Sequence, residues 1–309
     1  MAKDGKKKER KKQPILIYLT ILFVIFITVA EGQGYDPIGW LSGHLNGVLG
    51  TECDEDMQVH FIDVGQGDCV FIRSGGKTML IDCGESSEAE TVIGYLGSLK
   101  VRKLDYIVAT HPHSDHMGAM AAVINSFQVG EVIMPHLSSD DIPTTVYFEK
   151  FLDACESKKL SVTEAKLGRV ITLGDAEAEI IAPNSPDYSN VNNYSVGIIL
   201  THGHNDFLLT GDAEELAESE MVKNGMLHHV RVFKAAHHGS STANTAALLD
   251  IVQPDYAVIS CGEGNSYGHP HKKALKRLNK YANRIIRTDE SGCIVFESDG
   301  LNLQVHTEK

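Results

Sequence analysis

The sequence contains no Cys-x-x-Cys pair, so a thiolate metal site of the ribbon or finger type is excluded. It contains one long apolar run and no second, so these 309 residues do not by themselves provide a multi-span channel. No internal repeat or low-complexity tract interrupts the body, which argues against a solenoid or a solvated tail. Basic residues are scarce beyond the start. Of the 28 Lys and Arg, seven lie at Lys3, Lys6, Lys7, Lys8, Arg10, Lys11 and Lys12, against only Asp4 and Glu9 of the 41 acidic residues. The rest of the chain therefore carries 21 basic and 39 acidic residues, a formal charge of −18. Such a body repels polyanions in general. Contact with nucleic acid requires a local basic patch or a bound metal.

What is present fits a globular protein. A 42% hydrophobic share is enough for a sizeable core, in one large domain or two small ones. The basic run 3–12 precedes an apolar run of 16 residues, Ile15 to Ala30, broken only by Tyr18, Thr20 and Thr28. Its length falls between the core of a signal peptide, about 7–15 residues, and a spanning helix, about 17–25. Thr28-Val29-Ala30 reads as a small-residue cleavage site. Cleaved, the body is secreted; uncleaved, residues 1–30 form an anchor in the membrane. Lys and Arg stay inside in both cases, so the body is expected on the outer face of the cytoplasmic membrane or beyond it. Residues 31–56, Gly-rich and then acidic, read as a linker.

Six cysteines, Cys53, Cys69, Cys83, Cys155, Cys261 and Cys293, permit disulfides outside the cell. Four of them sit in or beside apolar strand-like runs, where burial as small hydrophobes is the better reading.

From residue 58 strands alternate with helices. Strands are read at 58–64, 69–73, 78–82, 104–110, 131–134, near 180, at 195–201, 207–210, 230–235, 256–260 and near 285, 294 and 303. Helices are read at 88–99, 117–126, 144–158, 213–224, 245–251 and 271–282. This pattern, with strand hairpins at both ends, predicts a layered α/β sandwich over residues 57–309 as one domain.

The strongest chemical signal is His111-Pro-His113-Ser-Asp115-His116, between a strand and a helix. Alternate residues of an extended segment face the same way, so His111 and His113 can grip one ion. Asp115 and His116 follow as the chain turns, and can face a second. Imidazole with carboxylate suits Zn²⁺, and also Mn²⁺ or Fe²⁺. Phe207–Asp212 is an apolar strand ending in Gly-Asp, where a carboxylate can bridge two ions or cap the following helix. Lys234-Ala-Ala-His237-His238-Gly239-Ser240 is a second apolar strand ending in ligand-type residues. One of its two histidines is expected on metal and the other beside the site. Two ions a few Å apart lower the pKa of a shared water, so no serine nucleophile is needed. Asp115 is the residue best suited to orient that water. His269 and Lys272, at the start of a lysine-rich helix, offer a phosphate seat, with Ser240 beside them; the lysines equally suit a solvated helix face. The turn Asp63–Asp68 is expected near the site, although its glycines also suit a tight turn.

These residues resemble the metallo-β-lactamase superfamily and, more narrowly, the hydrolase domain of ComEC competence proteins. The resemblance is carried by Phe61-Ile-Asp-Val-Gly-Gln-Gly-Asp68, Leu80-Ile-Asp-Cys-Gly84, Thr110–Gly118, Asn192-Asn-Tyr-Ser195, Leu209–Asp212, Ala236–Ser240 and Tyr267-Gly-His-Pro270. It implies a four-layer αβ/βα sandwich with two divalent ions, Zn²⁺ first and Mn²⁺ second. By motif match, His111, His113 and Asp212 hold metal one. Asp115, His116, Asp212 and one of His237 and His238 hold metal two. His238 is favoured because glycine follows it. Asp63, Gln66, Asp68 and Asp82 belong to the motif loops around the site.

One departure stands out. Many superfamily members give metal one a further histidine before the Gly-Asp strand. Here that region reads Asn192-Asn193. His202 and His204 lie nearby in sequence, at a hairpin tip expected some 20 Å from Asp212 at about 3.3 Å per strand residue. Asn192 or Asn193 is the better-placed substitute, and an amide oxygen is a weaker ligand than imidazole.

The resemblance implies a phosphodiester substrate, DNA outside the membrane above all, cut by a nuclease during uptake. The rivals are hydrolysis of a small phosphoester, lactone or cell-wall substituent, and a non-catalytic metal-containing binding module.

Overall fold

The computed structural model describes residues 56–309. The basic N-terminus, the apolar run, the linker up to residue 55 and Cys53 lie outside the described residues. Among those described, no helix is long and apolar enough to cross a membrane.

Two sheets face each other. The first has eight strands in the order β15-β14-β1-β2-β3-β4-β5-β6. Its members are β1 (Met57–Phe61), β2 (Val70–Ser74), β3 (Lys77–Ile81), β4 (Lys103–Val108), β5 (Gln128–Met134), β6 (Val162–Glu164), β14 (Ile294–Ser298) and β15 (Leu303–Thr307). The second has seven, in the order β13-β12-β11-β10-β9-β8-β7. They are β7 (Val170–Leu173), β8 (Ala176–Ala182), β9 (Gly197–His202), β10 (Asn205–Leu209), β11 (Val232–Lys234), β12 (Tyr256–Ile259) and β13 (Arg284–Arg287).

Helices cover both outer faces: α1 (Ala89–Ser98), the turn α2 (Ser114–Met117), α3 (Met120–Ser126) and α4 (Val146–Ser157) belong with the first sheet. The helices α5 (Glu215–Asn224), α6 (Ala246–Val252) and α7 (Lys272–Tyr281) pack on the second.

Strand alternation explains the layering. In β2 and β3, Val70, Ile72, Met79 and Ile81 face inward and meet Ile198, Leu200, Phe207, Leu209, Val232 and Val258 of the other sheet. Phe71 and Leu80 face outward under Val92, Leu96, Val123 and Phe151. Leu208, Phe233 and Ala257 face the other way, under Ala217, Met221, Leu248 and Leu278. Each fully buried large apolar side chain contributes roughly 1.5–3 kcal/mol. Phe296 pins the sheets together, with ring centroids 6.0 Å from Phe61, 5.9 Å from Phe207 and 5.3 Å from Tyr256. Cys69, Cys83, Cys155 and Cys261 are buried, Cys293 is half-buried, and all five are free thiols.

The strands read from sequence are present, with two additions, β6 and β7; the helix read at 117–126 is divided into α2 and α3, and a short helical turn at Thr288–Ser291 was not read. Both added strands are edge strands, and their residues Val162, Glu164, Val170 and Thr172 are exposed. One neighbouring strand and an open face leave little hydrophobic pattern to read.

Strands β3, β4 and β5 are parallel, as are β10, β11, β12 and β13. Loops leaving the carboxyl ends of β4, β10, β11 and β12 meet at one edge of the sandwich. The Thr110 carbonyl accepts the Val196 N–H at 2.9 Å, which ties the two sheets together there.

Candidate metal centre

The loop after β4 is the spine of the site. His113 is extended (φ −80°, ψ 153°), and the turn α2 starts immediately after it. The rings of this loop stay together, with the His111 centroid 4.7 Å from that of His113 and 4.2 Å from that of His116. The loop after β1 braces it: the Asp68 N–H donates to the Asp115 carbonyl at 3.1 Å. Gly67 makes this approach feasible. It has φ +149°, and a Cβ there would sit 2.3 Å from the Asp115 carbonyl oxygen.

Four candidate ligands converge. One donor atom each from Asp115, His116, Asp212 and His238 lies within 4.8 Å of the others. His116 Nε2 is 3.3 Å from Asp212 Oδ2, and His238 Nε2 is 3.5 Å from the same oxygen and 3.2 Å from Asp115 Oδ2. His116 Nε2 and Asp212 Oδ1 are buried without a hydrogen-bond partner. Orphaned buried polar atoms are costly unless a partner such as an ion meets them. The donors thus fit a tetrahedral or wider divalent cation.

The distal nitrogens are held from behind. His116 Nδ1 lies 2.8 Å from Asp82 Oδ2, and Asp82 also accepts the Thr110 N–H at 2.8 Å and hydroxyl at 2.6 Å. His238 Nδ1 lies 3.0 Å from the Ser260 carbonyl and 3.4 Å from Asp68 Oδ1. Such carboxylate or carbonyl backing fixes the ring and its tautomer. Beneath them Lys234, fully buried, pairs with Asp68 and reaches the Gly211 carbonyl at 3.3 Å. His237, His238 and Asp82 have φ of 50°, 52° and 57°. Left-handed backbone at three non-glycine residues is strain of the kind stored at functional sites.

The charges favour cations here. Asp68, Asp82, Asp115 and Asp212 are four carboxylates around one fixed cation, Lys234. Burial opposes the Asp115 charge, but the His116 imidazolium and the His238 hydrogen bond outweigh it and hold the carboxyl at about 2. Burial likewise opposes the His238 imidazolium, yet Asp212 and Asp68 raise it to about 10. His116 is raised well above its ordinary value against the same burial, by Asp212, Asp115 and Asp82. Protons on these rings balance the carboxylates; divalent ions would do so instead. His111 is pushed well below its ordinary value by burial and by His116, so it is neutral and ready to ligate.

The metal-one group is built differently. His111 Nε2 and His113 Nδ1 lie 3.0 Å apart. His111 Nδ1 faces the Thr110 hydroxyl at 3.1 Å and the Ser195 hydroxyl at 3.4 Å. The structure separates the two asparagines. Asn193 Oδ1 accepts the Glu214 N–H at 3.1 Å and the Ala217 N–H at 3.4 Å, so it caps α5. That cap removes the N-cap role from Asp212. Asn192 donates from Nδ2 to Glu214 at 3.2 Å, while its buried Oδ1 has no partner. Asn192 also lines a cavity of about 270 Å³ above the centre, with His113, Asp115, Asp212, His237 and His238. His202 is far from this group in the fold: its Nδ1 bonds the Ser298 hydroxyl at 2.8 Å, beside β14.

The remaining expected residues divide. His238 is buried and faces Asp115 and Asp212; His237 is partly exposed, with Nδ1 3.1 Å from Glu214 Oε1. Gln66 and His269 line the cavity. Asp63 instead serves its own turn, accepting the Gly65 N–H at 3.1 Å. Ser240 bonds Thr242 at 2.9 Å and Lys272 is exposed on α7; neither lines the cavity. Arg277 of the same helix is spent on the carbonyls of Ser241, Ala243 and Asn244. Among the residues that line or support the cavity, Ser114, Tyr147, Tyr267 and Lys234 carried no assigned role from sequence. For Lys234 a signal existed, since a lone cation between Phe233 and Ala235 in a buried strand needs a buried partner. Gly264-Asn-Ser-Tyr-Gly268 spells a nucleophile elbow in letters alone. Ser266 is exposed on a turn, without the strand-to-helix elbow.

The fold and the ligand-bearing edge define a metallohydrolase of the αβ/βα sandwich class. The family model described as the metallo-beta-lactamase superfamily matches residues 62–263, and the chain belongs to that superfamily. ComE operon protein 3 of Bacillus subtilis is 27% identical, over 92% of this chain and 39% of its own length. Recombination protein 2 of Haemophilus influenzae is 30% identical, over 80% of this chain and 30% of its own. Competence protein ComA of Neisseria gonorrhoeae is 26% identical, over 91% and 38%. These relatives are ComEC-type competence proteins, and the chain spans well under half their length. Among solved structures, the metallo-beta-lactamase fold protein YhfI from Bacillus subtilis matches with a TM-score of 0.51 at 13% identity, over 79% of this chain and 100% of that one. CmlA, a diiron beta-hydroxylase from Streptomyces venezuelae, matches at 0.52 and 16%, over 75% and 53%. Both show the fold alone.

Proposed function

We propose that this chain is an extracytoplasmic dinuclear-metal phosphodiesterase that cuts nucleic acid, working beside a ComEC-type DNA uptake system. The observation that carries it is the cavity of about 270 Å³ lined by Asp115, Asp212 and His238 of the four-residue cluster, with His116 buried behind them, and by His113, His237 and His269. Divalent ions held by those carboxylates and imidazoles would make a local anion seat in a body whose overall charge repels anions.

In this reading His111, His113, Asn192 and Asp212 hold metal one. Asp115, His116, Asp212 and His238 hold metal two. Bound there, a pair of divalent ions supplies an acidified water and Lewis acidity toward a phosphoryl oxygen. Asp115 orients the attacking water. Asp82 and Asp68 keep the imidazoles of His116 and His238 turned inward. Gln66 and His269 bound the substrate. The Asn192 amide oxygen is a harder donor than imidazole, which moves preference from Zn²⁺ toward Mn²⁺ at metal one. The relatives' names place them in competence and recombination, which supports DNA as the substrate. The size of the cavity suits one backbone linkage and also keeps a small phosphodiester as the second reading.

The test is turnover. The full chain with Zn²⁺ or Mn²⁺ is expected to cleave single-stranded DNA and bis-p-nitrophenyl phosphate, and Asp115→Ala to lose both. Diester activity without DNA cleavage would favour the small substrate. Full metal occupancy without any turnover would overturn the enzyme in favour of a binding module. The location is tested separately, by protease access to the body in intact cells against lysed ones.

A further inference from the structure

Tyr267 is 66% exposed and is the one aromatic among the exposed large apolar side chains of the described residues. An exposed tyrosine means little alone. This one lines the cavity over the metal cluster. Its ring lies nearly parallel to that of His269, at 16° with centroids 5.7 Å apart, and His269 is itself a cavity residue. The phenol ring is therefore stacked on the imidazole with a wide offset, and most of its surface stays exposed.

The loop that carries it is fastened on both sides. Asn265 Oδ1 accepts the His269 N–H at 3.0 Å, and its Nδ2 donates to the carbonyls of His269 at 2.6 Å and Gly262 at 2.9 Å. His271 Nδ1 accepts the Ser241 N–H at 2.9 Å, so its Nε2 carries the proton and donates to the Tyr267 carbonyl at 3.2 Å. The ring is thus presented on a backbone already ordered, and a ligand stacking on it would lose little loop entropy.

We propose that Tyr267 is a stacking platform for the nucleobase next to the scissile linkage, so that the substrate is a single strand rather than a duplex. The proposal rests on the phosphodiester reading above and narrows it. A flat ring accepts any base on its face, whereas paired bases in a duplex keep their faces against one another. A body with 39 acidic against 21 basic residues gains little from long-range attraction for the strand. Stacking is the form of affinity that such a surface can still supply. Tyr267 is accordingly a specificity residue, set one ring away from the metal ligand His238, whose centroid is 6.0 Å from that of His269.

The experiment compares a short single strand with the same strand carrying an abasic site at each position, and with the duplex. Cleavage is read in the Mn²⁺-loaded full chain and equilibrium binding in the Asp115→Ala chain, each with Tyr267 intact, Tyr267→Phe and Tyr267→Leu. Stacking on one base predicts a preference for the base-bearing strand of roughly ten-fold. Tyr267→Phe is expected to keep that ratio and Tyr267→Leu to bring it near one. A chain with Tyr267 intact that treats base-bearing and abasic strands alike, or that prefers duplex, overturns the proposal. So does a Tyr267→Leu chain that keeps the ratio. Base-dependent binding without cleavage of any strand would sink the phosphodiesterase and leave the platform standing. Cleavage without base dependence would do the reverse.

Discussion

Asp82 Oδ2 lies 2.8 Å from His116 Nδ1, so a buried carboxylate directs the opposite nitrogen of that ring toward Asp212. The pair sits at the root of the centre, because Asp82 also anchors Thr110, the residue before the first histidine. Replacing Asp82 by Asn removes the charge behind the ring while keeping its size. The expected outcome is a loss of metal affinity of about 10–100-fold, measured by competition with a chromogenic chelator.

Asn192 gives an opposite prediction. Its amide oxygen is buried and unpartnered beside the cavity. Asn192→His is expected to tighten the weaker of two Zn²⁺ sites, and Asn192→Ala to loosen it. Titration calorimetry that finds the same second-site affinity in all three chains would exclude this position from the coordination.

The Lys234–Asp68 pair is tested through stability. Both residues are buried, with side chains 2% and 3% exposed. Lys234→Met leaves Asp68 without its ammonium partner and with only the His238 and His116 rings beside it, and loss of one partner of a buried pair costs about 3–5 kcal/mol. Adding Asp68→Asn is expected to recover a substantial part of that in urea unfolding of the metal-free chain. Equal loss in the single and double variants would show that the pairing is not what holds this position.

A pH effect is expected at a histidine outside the candidate metal cluster. His60 is buried between Tyr95, whose hydroxyl is 2.9 Å from Nδ1, and Gln58, at 3.3 Å from Nε2. Burial, then the Arg73 charge, lowers its pKa from 6.5 to about 3. The unfolded chain binds this proton below pH 6.5 and the folded chain does not until about pH 3. Stability from this group is therefore complete above pH 6.5 and falls on acidification through that window, by up to about 1.4 kcal/mol per pH unit. His60→Gln should flatten the slope between pH 6 and 4 relative to the parent. His111 and His113 shift in the same direction, so the difference between the two chains is the informative quantity.

Much of this architecture was legible in the sequence because its strands are buried on both faces or alternate cleanly. Apolar runs such as Phe207–Leu209 and Val232–Phe233 are hard to misread. The short edges β6 and β7 were not, since edge strands bury little. The candidate site stood out in the sequence because three histidines and an aspartate in six residues have few structural uses, and the structure brings Asp115 and His116 of that run together with Asp212 and His238. The choice between Asn192 and Asn193 was not. Neighbouring residues with the same side chain differ only in which backbone N–H groups they meet, and α5 supplies those for Asn193 alone. Tyr267 escaped for a related reason: an aromatic in a Gly-rich loop gives no sign of the ring beneath it.

The proposed ligands leave from both sheets, His111 to His116 from one and Asp212 and His238 from the other. A nascent chain that has completed only the first six strands owns imidazoles but no bridging carboxylate. Capture of ions at full strength must therefore wait for synthesis to pass residue 238. In the proposed arrangement the metals would therefore come late in the life of the polypeptide, and their capture would report that the two sheets have closed on each other.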